Sequence, residues 1–509
     1  MDWFDDWGLS LVVFLPIVGA AIMMLIPRAE EGLHKAVALT ASLATAAVAV
    51  GLLVDFNYGS DAPRYQFEVD HPWIDVISSR FHLGVDGISL PLIALTAAIV
   101  VLCIVYSWDH FPEPANPKAF LALVLLLETG MMGTFAALDL ILFFIFFEVV
   151  LLPMYFMIGV WGGPNRQYAA IKFFLFTLFG SALMLLSFLA LFFNSGPEQT
   201  FDIVALSQEG ALDISRAAAN LIFAGMFLGF GIKVPMFPFH TWLPDAHTEA
   251  PTVGSVILAA VLLKMGTYGF VRIALPILPD AAETWAPWIG LLAVIGIIYG
   301  ALACLAQTDM KRLIAFSSVA HMGFTMLGIS TLTDFGINAA MMGMIAHGLI
   351  TGMLFFLAGS VQERYGTREM ARLGGLLVSA PKMGWILGFT AMASLGLPGL
   401  AGFWGEFPAI LSAFNPADAL PEPTFRSYMA IAAVGTVLAA GYLLVMYQRV
   451  AMGTVPDEWT DHHIHDVHTP EWIAWTPLII AIIAIGIYPA IVFDVTDPAV
   501  QFVTAAFGG

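Results

Sequence analysis

The sequence is poor in charge: Asp, Glu, Lys and Arg make up 11% of its 509 residues, whereas 59% of the residues are hydrophobic. Soluble domains carry about 25% charged residues, so this composition excludes an ordinary soluble protein. Apolar runs of 18 residues or more recur from end to end, which is typical of membrane-spanning helices. Because these runs lack the alternating polarity of barrel strands, the sequence predicts an all-α integral membrane protein.

Cysteine is also scarce. Cys103 and Cys304 both lie in apolar runs without a CxxC partner, which argues against a disulfide framework, a zinc site or an iron–sulfur cluster. The sequence contains no GxGxxG or GxxxxGK[ST] motif and therefore predicts no nucleotide site. Its formal charge of −19 argues against nucleic acid as a partner. We expect the chain to bind no metal and no cofactor, and we interpret the histidine-rich DHHIHDVH at 461–468 as a solvated loop.

About fourteen apolar runs are long enough to span a membrane. They are predicted at 9–26, 33–54, 83–107, 118–137, 139–161, 170–194, 217–242, 252–276, 285–306, 311–331, 335–361, 381–413, 425–450 and 472–493. Two of them contain helix breakers, namely Pro235 and Pro238 in the seventh and Pro398 with Gly399 in the twelfth. Proline removes a backbone donor and clashes with the preceding turn, so both spans are predicted to be broken helices.

Lysine and arginine are unevenly divided between the two ends of the spans. If the N-terminus faces outward, twelve flank the inner side, five flank the outer side and two lie within spans. Positive charge is enriched on the cytoplasmic side of membrane proteins. The distribution therefore predicts that both termini face the periplasm of a bacterial inner (plasma) membrane.

Six ionisable residues are predicted inside the spans: Glu148, Lys233, Lys264, His321, His347 and Glu406. A charge at the bilayer centre costs roughly 3 kcal/mol on insertion scales, so such residues usually mark an ion or proton pathway. The structural alternatives are a packing role for His347 and a fixed ion pair between Glu148 and Lys233. Glu128 and Asp139 are predicted near span edges and are interpreted as interfacial.

The spacing of these residues predicts an internal repeat. Glu148 and Lys233 are 85 residues apart, as are His321 and Glu406, and each second member lies at a broken helix. Spans four to eight would form one unit and spans nine to thirteen the next, and because five is odd the second unit is inverted.

The predicted repeats divide the chain into four regions. These are three N-terminal spans in 1–115, the first five-helix repeat in 116–276, the second, inverted repeat in 277–450, and a loop with the last span in 451–509. Separating or joining Glu148 and Lys233 would change the proton affinity of both groups. Lys264, His321 and His347 would relay the proton, and Glu406 would serve as an exit-side group.

Four segments carry a resemblance to a known family: FFEVVLLPMY at 146–155, KVPMFPFHTWLPDAH at 233–247, DMKRLIAFSSVAHMG at 309–323 and GLPGLAGFWGEF at 396–407. Over essentially its whole length, the chain resembles the antiporter-like membrane subunits of proton-pumping NADH:quinone oxidoreductase, respiratory complex I. These subunits are related to the large subunits of multisubunit sodium/proton antiporters.

The resemblance implies a role for each buried ionisable residue. Glu148 looks like the family's fifth-helix glutamate, Lys233 like the seventh-helix lysine paired with it, and Lys264 like the eighth-helix connecting lysine. Glu406 looks like the twelfth-helix group at the outlet, where one subunit type has glutamate and the others have lysine.

Other polar residues match less central family positions. His321 and His347 match the central hydrophilic axis of the family. His240, Asp245 and His247 lie in the signature segment and are predicted to be supporting residues.

The resemblance also implies partners. FMN, iron–sulfur clusters and quinone would be bound by other subunits, and the L and N antiporter-like subunits would be neighbours in the lipid bilayer. Quinone reduction elsewhere in the complex would supply the energy, since this chain carries no redox centre of its own. The alternatives are a subunit of a multisubunit sodium/proton antiporter or of a membrane-bound hydrogenase, and an architectural subunit that moves no protons.

Overall fold

The computed structural model describes residues 3–59, 62–108, 110–197 and 199–508. Most of these residues are helical, which confirms the predicted fold class. The α-helices are α1 (Trp3–Leu25), α2 (Glu31–Asp55), α3 (Ser89–Tyr106), α4 (Pro117–Ala136), α5 (Leu140–Val149), α6 (Leu151–Trp161), α7 (Arg166–Phe193), α8 (Ile203–Leu206), α9 (Arg216–Lys233), α10 (Trp242–Glu249), α11 (Thr252–Ile257), α12 (Leu263–Gly269), α13 (Leu275–Ile277), α14 (Pro279–Leu305), α15 (Met310–Ser330), α16 (Asp334–Tyr365), α17 (Leu376–Ser379), α18 (Pro381–Ser394), α19 (Ala401–Ser412), α20 (Glu422–Ala451), α21 (Thr469–Ile487) and α22 (Ala490–Thr504). Strands β1 (Gln66–Ile74) and β2 (Ser79–Val85) form an antiparallel hairpin.

Several helices join into longer crossings. The fifth crossing consists of α5 and α6, and the eighth consists of α11, α12 and α13 linked by the π-helical segments Leu258–Leu262 and Phe270–Ala274. Within the described residues, thirteen helical stretches are long and apolar enough to cross a membrane. Among them, the eighth crossing and α16 each have an apolar stretch of 18 residues that is fully buried, so they form the centre of the bundle.

Both predicted broken helices are confirmed. The seventh crossing stops at the end of α9 and resumes with α10, and Trp242 Nε1 donates a hydrogen bond to the Ile232 carbonyl across the break at 3.0 Å. The twelfth crossing stops at the end of α18 and resumes with α19, and its break contains Gly396 at φ +78° and Gly399 at φ +93°. These left-handed conformations favour glycine, which has no Cβ.

The hairpin corrects the start of the predicted third span. Residues 83–85, which the apolar run placed in that span, belong to β2 and pair with β1, so the helix begins only at Ser89. Phe4 in α1 packs edge-on against Phe67 in β1, with ring centroids 6.0 Å apart. The hairpin therefore lies at the same end of the bundle as the start of α1.

The predicted last span, 472–493, also needs correction. Its helix ends at Ile487, because Pro489 lacks a backbone donor and restricts Tyr488, and a separate helix, α22, follows. All the α22 contacts point to one end of the bundle: Asn338 Nδ2 donates to Asp497 Oδ1 at 2.7 Å, and Arg64 lies 3.3 Å from the Phe502 ring centroid. We conclude that α22 runs along that end of the bundle and is not a fifteenth crossing.

Since α22 is one of the thirteen apolar stretches, the described residues form fourteen crossings, of which twelve are continuous and two are broken. We call the end that holds the hairpin, the start of α1 and α22 the terminal face, and the other end the opposite face. Helix α4 runs from the opposite face to the terminal face, whereas α14 runs in the reverse direction. The two five-crossing segments thus begin at different faces; the inverted repeat itself stays a prediction.

Candidate functional site

Lys264 lies on α12 in the centre of the bundle and is fully buried. Its Nζ donates hydrogen bonds to the Ala259 carbonyl at 2.5 Å and to His347 Nδ1 at 2.6 Å. Ala259 belongs to the π-helical segment that precedes α12, and such segments are frequent at functional sites. The widened turn and the histidine of α16 together satisfy a lysine that forms no ion pair with a carboxylate in the part of the chain that the structure describes.

His321 and Glu406 form a second bonded pair. His321 Nδ1 on α15 lies 2.5 Å from Glu406 Oε1 on α19, and both side chains are buried. His321 Nε2 lies 3.2 Å from both the Ser394 and the Tyr442 hydroxyl oxygens. Since Ser394 is the last residue before the second helix break, this pair connects the break to the centre of the bundle.

A small cavity separates the two bonded pairs. The His321 and His347 ring centroids are 5.9 Å apart, and both residues, with Glu406, line a cavity of about 20 Å³. His347 Nε2 and Glu406 Oε2 are buried and have no hydrogen-bond partner among the described residues. A polar cavity needs roughly 10–15 Å³ to hold one water. The cavity is therefore large enough for a single water.

Glu148 and Lys233 lie on neighbouring helices, and the structure does not contain the fixed ion pair that was the structural alternative. Glu148 is half-buried near the end of α5, and Lys233 is buried at the last residue of α9. No ion pair within 4.0 Å joins them, and Lys233 Nζ instead lies 4.5 Å from the centroid of the Phe147 ring. The cation faces an aromatic ring beside the glutamate, a weaker contact than a salt bridge.

The three residues predicted to play supporting roles lie in three different environments. Asp245 Oδ2 binds Lys172 Nζ at 2.7 Å, with Arg312 at 3.5 Å from its other oxygen, so its carboxylate is paired near the opposite face. His247 stacks on Phe355 with ring centroids 4.4 Å apart.

His240 contacts two aromatic rings. It stacks on Phe237 at 5.7 Å between centroids and meets the Tyr299 ring edge-on at 4.8 Å. The ring nitrogens of both His240 and His247 have no hydrogen-bond partner among the described residues.

The structure shows that both carboxylates predicted near span edges are buried. Glu128 is fully buried in the middle of α4 and is not at a span edge, which corrects the interfacial interpretation. Asp139 is also buried, but it caps α5 by accepting from the amides of Ile141 and Leu142. The signal for Glu128 was its central position in the run 118–137.

Two further buried cations, at the ends of predicted spans, were counted with the charges that flank the two sides of the membrane. Lys311, near the start of α15, is buried and donates to the Ala250 carbonyl. Arg272 is buried in the eighth crossing and binds Asp86, with Nη1 2.7 Å from Oδ2. Counting charges by loop cannot distinguish such residues from solvent-exposed ones.

No cluster of three or more His, Cys, Asp or Glu side chains within the described ranges could hold a metal ion. The buried groups of the site are amines, imidazoles, carboxyls and hydroxyls, which bind and release protons. The chemistry available to the arrangement is therefore proton exchange between hydrogen-bonded side chains.

Fold and site together define an antiporter-like membrane protein with two broken helices and a buried row of ionisable residues. A family profile described as NADH:quinone oxidoreductase/Mrp antiporter, TM matches residues 137–419, and one described as NADH-ubiquinone oxidoreductase chain 4, amino terminus matches residues 69–134. The chain belongs to the family of NADH-quinone oxidoreductase M subunits.

Curated relatives support this membership along the whole chain. NADH-quinone oxidoreductase subunit M of Rhodobacter capsulatus is 41% identical over 507 residues, covering 97% of this chain and 95% of the relative. Subunit M of Rickettsia bellii is 38% identical over 504 residues, covering 98% of this chain and 99% of the relative.

Solved structures share the fold. A chain of respiratory complex I from Thermus thermophilus with bound NADH matches with a TM-score of 0.87 and 30% identity, covering 98% of this chain and all of that one. The Mrp complex from Dietzia sp. DQ12-45-1b matches with a TM-score of 0.82 at 20% identity, covering 100% of both chains, which shows a shared fold alone.

Proposed function

We propose that this chain translocates protons as the antiporter-like M subunit of NADH:quinone oxidoreductase, through Glu148, Lys233, Lys264, His347, His321 and Glu406. The observation that carries the proposal is the arrangement of two bonded pairs, Lys264–His347 and His321–Glu406, on either side of a cavity that fits one water. Ionisable residues in a bilayer-spanning region are expensive and usually serve transport.

The central step is transfer across the cavity. His347 Nδ1 accepts from Lys264, so a neutral His347 carries its own proton on Nε2. A water in the cavity would accept from Nε2 and donate to Glu406 Oε2, the other unpartnered atom. Proton uptake by His347 from Lys264 and proton loss to the water would then move one proton from α12 to α19.

The outlet is proposed at the terminal face. Glu406 is two residues before Pro408, which lines a cavity of about 610 Å³ at that face together with Asp334, Asp494 and Asp497. A cavity lined with acidic groups attracts cations and holds water. Its position supports a route from Glu406 to the aqueous phase on the periplasmic side, where both termini would lie.

Glu148 and Lys233 would control the inlet half of the path. Since no salt bridge fixes them, the pair is free to tighten or separate when the broken helix moves, and either change alters the proton affinity of both groups. Residues 116–276 would then form the uptake half and residues 277–450 the release half. His240, Asp245 and His247 would support the uptake half at the opposite face.

Energy must come from elsewhere in the complex, because moving one charge against 100 mV requires about 2.3 kcal/mol. Quinone reduction in other subunits, which would bind FMN, iron–sulfur clusters and quinone, would supply it. We propose the L and N antiporter-like subunits as neighbours and a bacterial inner membrane as the location. This chain would contribute no redox centre.

The proposal is tested by NADH-driven acidification of inverted membrane vesicles that carry Glu148→Gln. NADH oxidation with an artificial electron acceptor reports assembly of the complex independently of pumping. We expect acceptor activity to persist while quinone-linked turnover and acidification fall together. Normal acidification in vesicles with this variant would contradict the proposed role of Glu148.

A further inference from the structure

A second carboxyl group lies deep in the bundle, outside the pathway described above. Glu128, the twelfth residue of α4, is fully buried, and neither of its carboxyl oxygens has a hydrogen-bond partner among the described residues. An ionised carboxylate in such surroundings is far too costly without a partner, so the group is held as the neutral acid. Glu128 therefore stores one proton in the middle of the first five-crossing segment.

The neighbours of α4 place Glu128 beside the eighth crossing. The Phe135 and Tyr268 rings meet edge-on with centroids 5.2 Å apart, and Tyr268 Oη donates to the Phe135 carbonyl at 2.9 Å. Glu128 precedes Phe135 by seven residues, which is close to two full helical turns. Glu128 thus projects from the same face of α4 as Phe135, the face that packs against the eighth crossing.

Lys264 occupies the matching position on the eighth crossing. It precedes Tyr268 by four residues, about one helical turn, and so lies on nearly the same face of α12. Both helices run from the opposite face to the terminal face. The rise of a helix is about 1.5 Å per residue. Glu128 therefore lies about 10 Å, and Lys264 about 6 Å, from the Phe135–Tyr268 contact in the direction of the opposite face. The two residues therefore lie on helices that pack against each other, at depths that differ by only a few ångströms, and the Lys264 amine itself bonds to His347 of α16.

The backbone opposite Glu128 is irregular. Seven residues before Tyr268 lies Val261, inside the π-helical segment Leu258–Leu262. This segment supplies the Ala259 carbonyl that accepts from Lys264 Nζ. Because the π-helical turn has a wider hydrogen-bond register than a regular α-helical turn, a change of this turn would move the acceptor of the lysine amine.

We propose that Glu128 is a proton-donating residue that reloads Lys264 on the inlet side of the pathway. This inference rests on the proposed function. In the step, the carboxyl O–H bond of Glu128 breaks and a new N–H bond forms on the neutral amine of Lys264, directly or through one water. The neutral pair becomes a carboxylate and an ammonium group. Onward transfer from Lys264 to His347 leaves Glu128 to be reprotonated from the opposite face.

The test compares Glu128→Gln with Glu128→Asp and with Glu209→Gln, an exposed acidic residue outside the pathway. Glutamine keeps the size and polarity of the side chain but cannot release a proton. We expect Glu128→Gln to retain artificial-acceptor activity and to lose quinone-linked turnover and acidification several-fold. Glu128→Asp should restore part of both, and Glu209→Gln should behave as wild type. Wild-type acidification with Glu128→Gln would overturn the proposal.

Infrared difference spectra of the purified complex during NADH-driven reduction give a second readout, which a structural role would not change. We expect a carboxylic-acid C=O band that shifts in D2O and is missing from Glu128→Gln. Spectra identical to those of the wild type would overturn the proposal. Glu148→Gln separates the two claims: if it abolishes acidification while Glu128→Gln does not, only the inference fails. If neither variant affects acidification, the proposed function fails.

Discussion

Lys264 Nζ lies 2.6 Å from His347 Nδ1, so the lysine of the eighth crossing is bound directly to a histidine of α16. Both residues belong to the most deeply buried crossings of the bundle. The bond fixes the imidazole so that its second nitrogen, Nε2, is free for another partner. A histidine held in this way can receive a proton at one nitrogen and release one at the other.

Replacing His347 with glutamine separates hydrogen bonding from proton transfer. The amide oxygen of glutamine can still accept from Lys264, but the side chain does not take up a proton near neutral pH. We expect His347→Gln to assemble and to retain NADH oxidation with an artificial acceptor, while vesicle acidification falls several-fold. Acidification at the wild-type rate would show that His347 is a packing residue.

Substituting Gly396 tests the second helix break. Its φ is +78°, and an added Cβ would lie 3.3 Å from Glu406 Oε2. A residue with a Cβ in left-handed backbone costs about 1–2 kcal/mol, so Gly396→Ala should lower the thermal unfolding midpoint of the purified complex. Gly441→Ala, in α20 with no atom within 4 Å of the added Cβ, is the matched control and should not lower it. Equal midpoints for the two variants would contradict the assigned strain.

The ion pair between Asp86 and Arg272 should be costly to break from one side. Asp86 precedes α3, outside the membrane-spanning segments, and is buried with the guanidinium. Leaving a buried charge unpaired costs about 3–5 kcal/mol, so Asp86→Asn should reduce the amount of subunit in membranes. Adding Arg272→Met should restore much of it. Immunoblots of membranes check both variants, and no rescue by the double variant would contradict the pairing argument.

The ion pair between Asp86 and Arg272 also makes the stability of the folded subunit depend on pH. Burial alone raises the pKa of Asp86, but the Arg272 guanidinium more than offsets this, and the pKa is held below its usual value. The stabilisation by ionised Asp86 is therefore present above the usual aspartate pKa, near 4. It is lost as the pH falls through the lowered pKa of Asp86 in the folded protein.

His82 should make the attachment of the hairpin weaker at alkaline pH. Its Nδ1 lies 2.6 Å from Asp202 Oδ2, and its Nε2 lies 2.8 Å from Glu68 Oε1. Burial alone lowers the pKa of His82, but these two carboxylates outweigh it, and the pKa is raised above its usual value. The stabilisation by charged His82 is thus complete below about pH 6.5 and is lost as the pH rises through the raised pKa.

Hydrogen exchange of residues 66–85 in the purified complex measures this effect. After correction for the intrinsic pH dependence of exchange, protection should decrease as the pH rises above neutrality. A His82→Gln variant should show a flat profile. The same decrease in wild type and variant would contradict the assignment to His82.

Much of the bundle could be predicted from the sequence, because hydropathy reports the cost of transferring backbone and side chains into lipid. Pro235 and Pro398 located both helix breaks because a missing amide donor interrupts a helix wherever it occurs. The hairpin could not be found in this way, since the apolar end of β2 merges with the run that forms α3. Likewise, the predicted last span ended at residue 493, just before Asp494, so α22 was not predicted as a separate helix.

The buried ionisable residues could be identified from sequence, but their contacts could not. Lys264 was recognisable as a lysine in an apolar run, yet its bond to His347 joins residues 83 positions apart through the packing of separate helices. Glu148 and Lys233 were predicted to act together, but the sequence did not show that the Phe147 ring lies against the ammonium group. Which of several nearby groups a buried cation contacts depends on a few ångströms of helix placement, and sequence spacing does not determine that.

The most direct test of the account is the number of protons pumped per NADH oxidised by wild-type and Lys264→Ala complex in sealed proteoliposomes. Among the described residues Lys264 forms no ion pair with a carboxylate, so the variant removes the connection between the two halves of the path without breaking a salt bridge. The account predicts that quinone-linked turnover and pumping fall together while artificial-acceptor activity persists. Wild-type turnover with an unchanged proton ratio would contradict it.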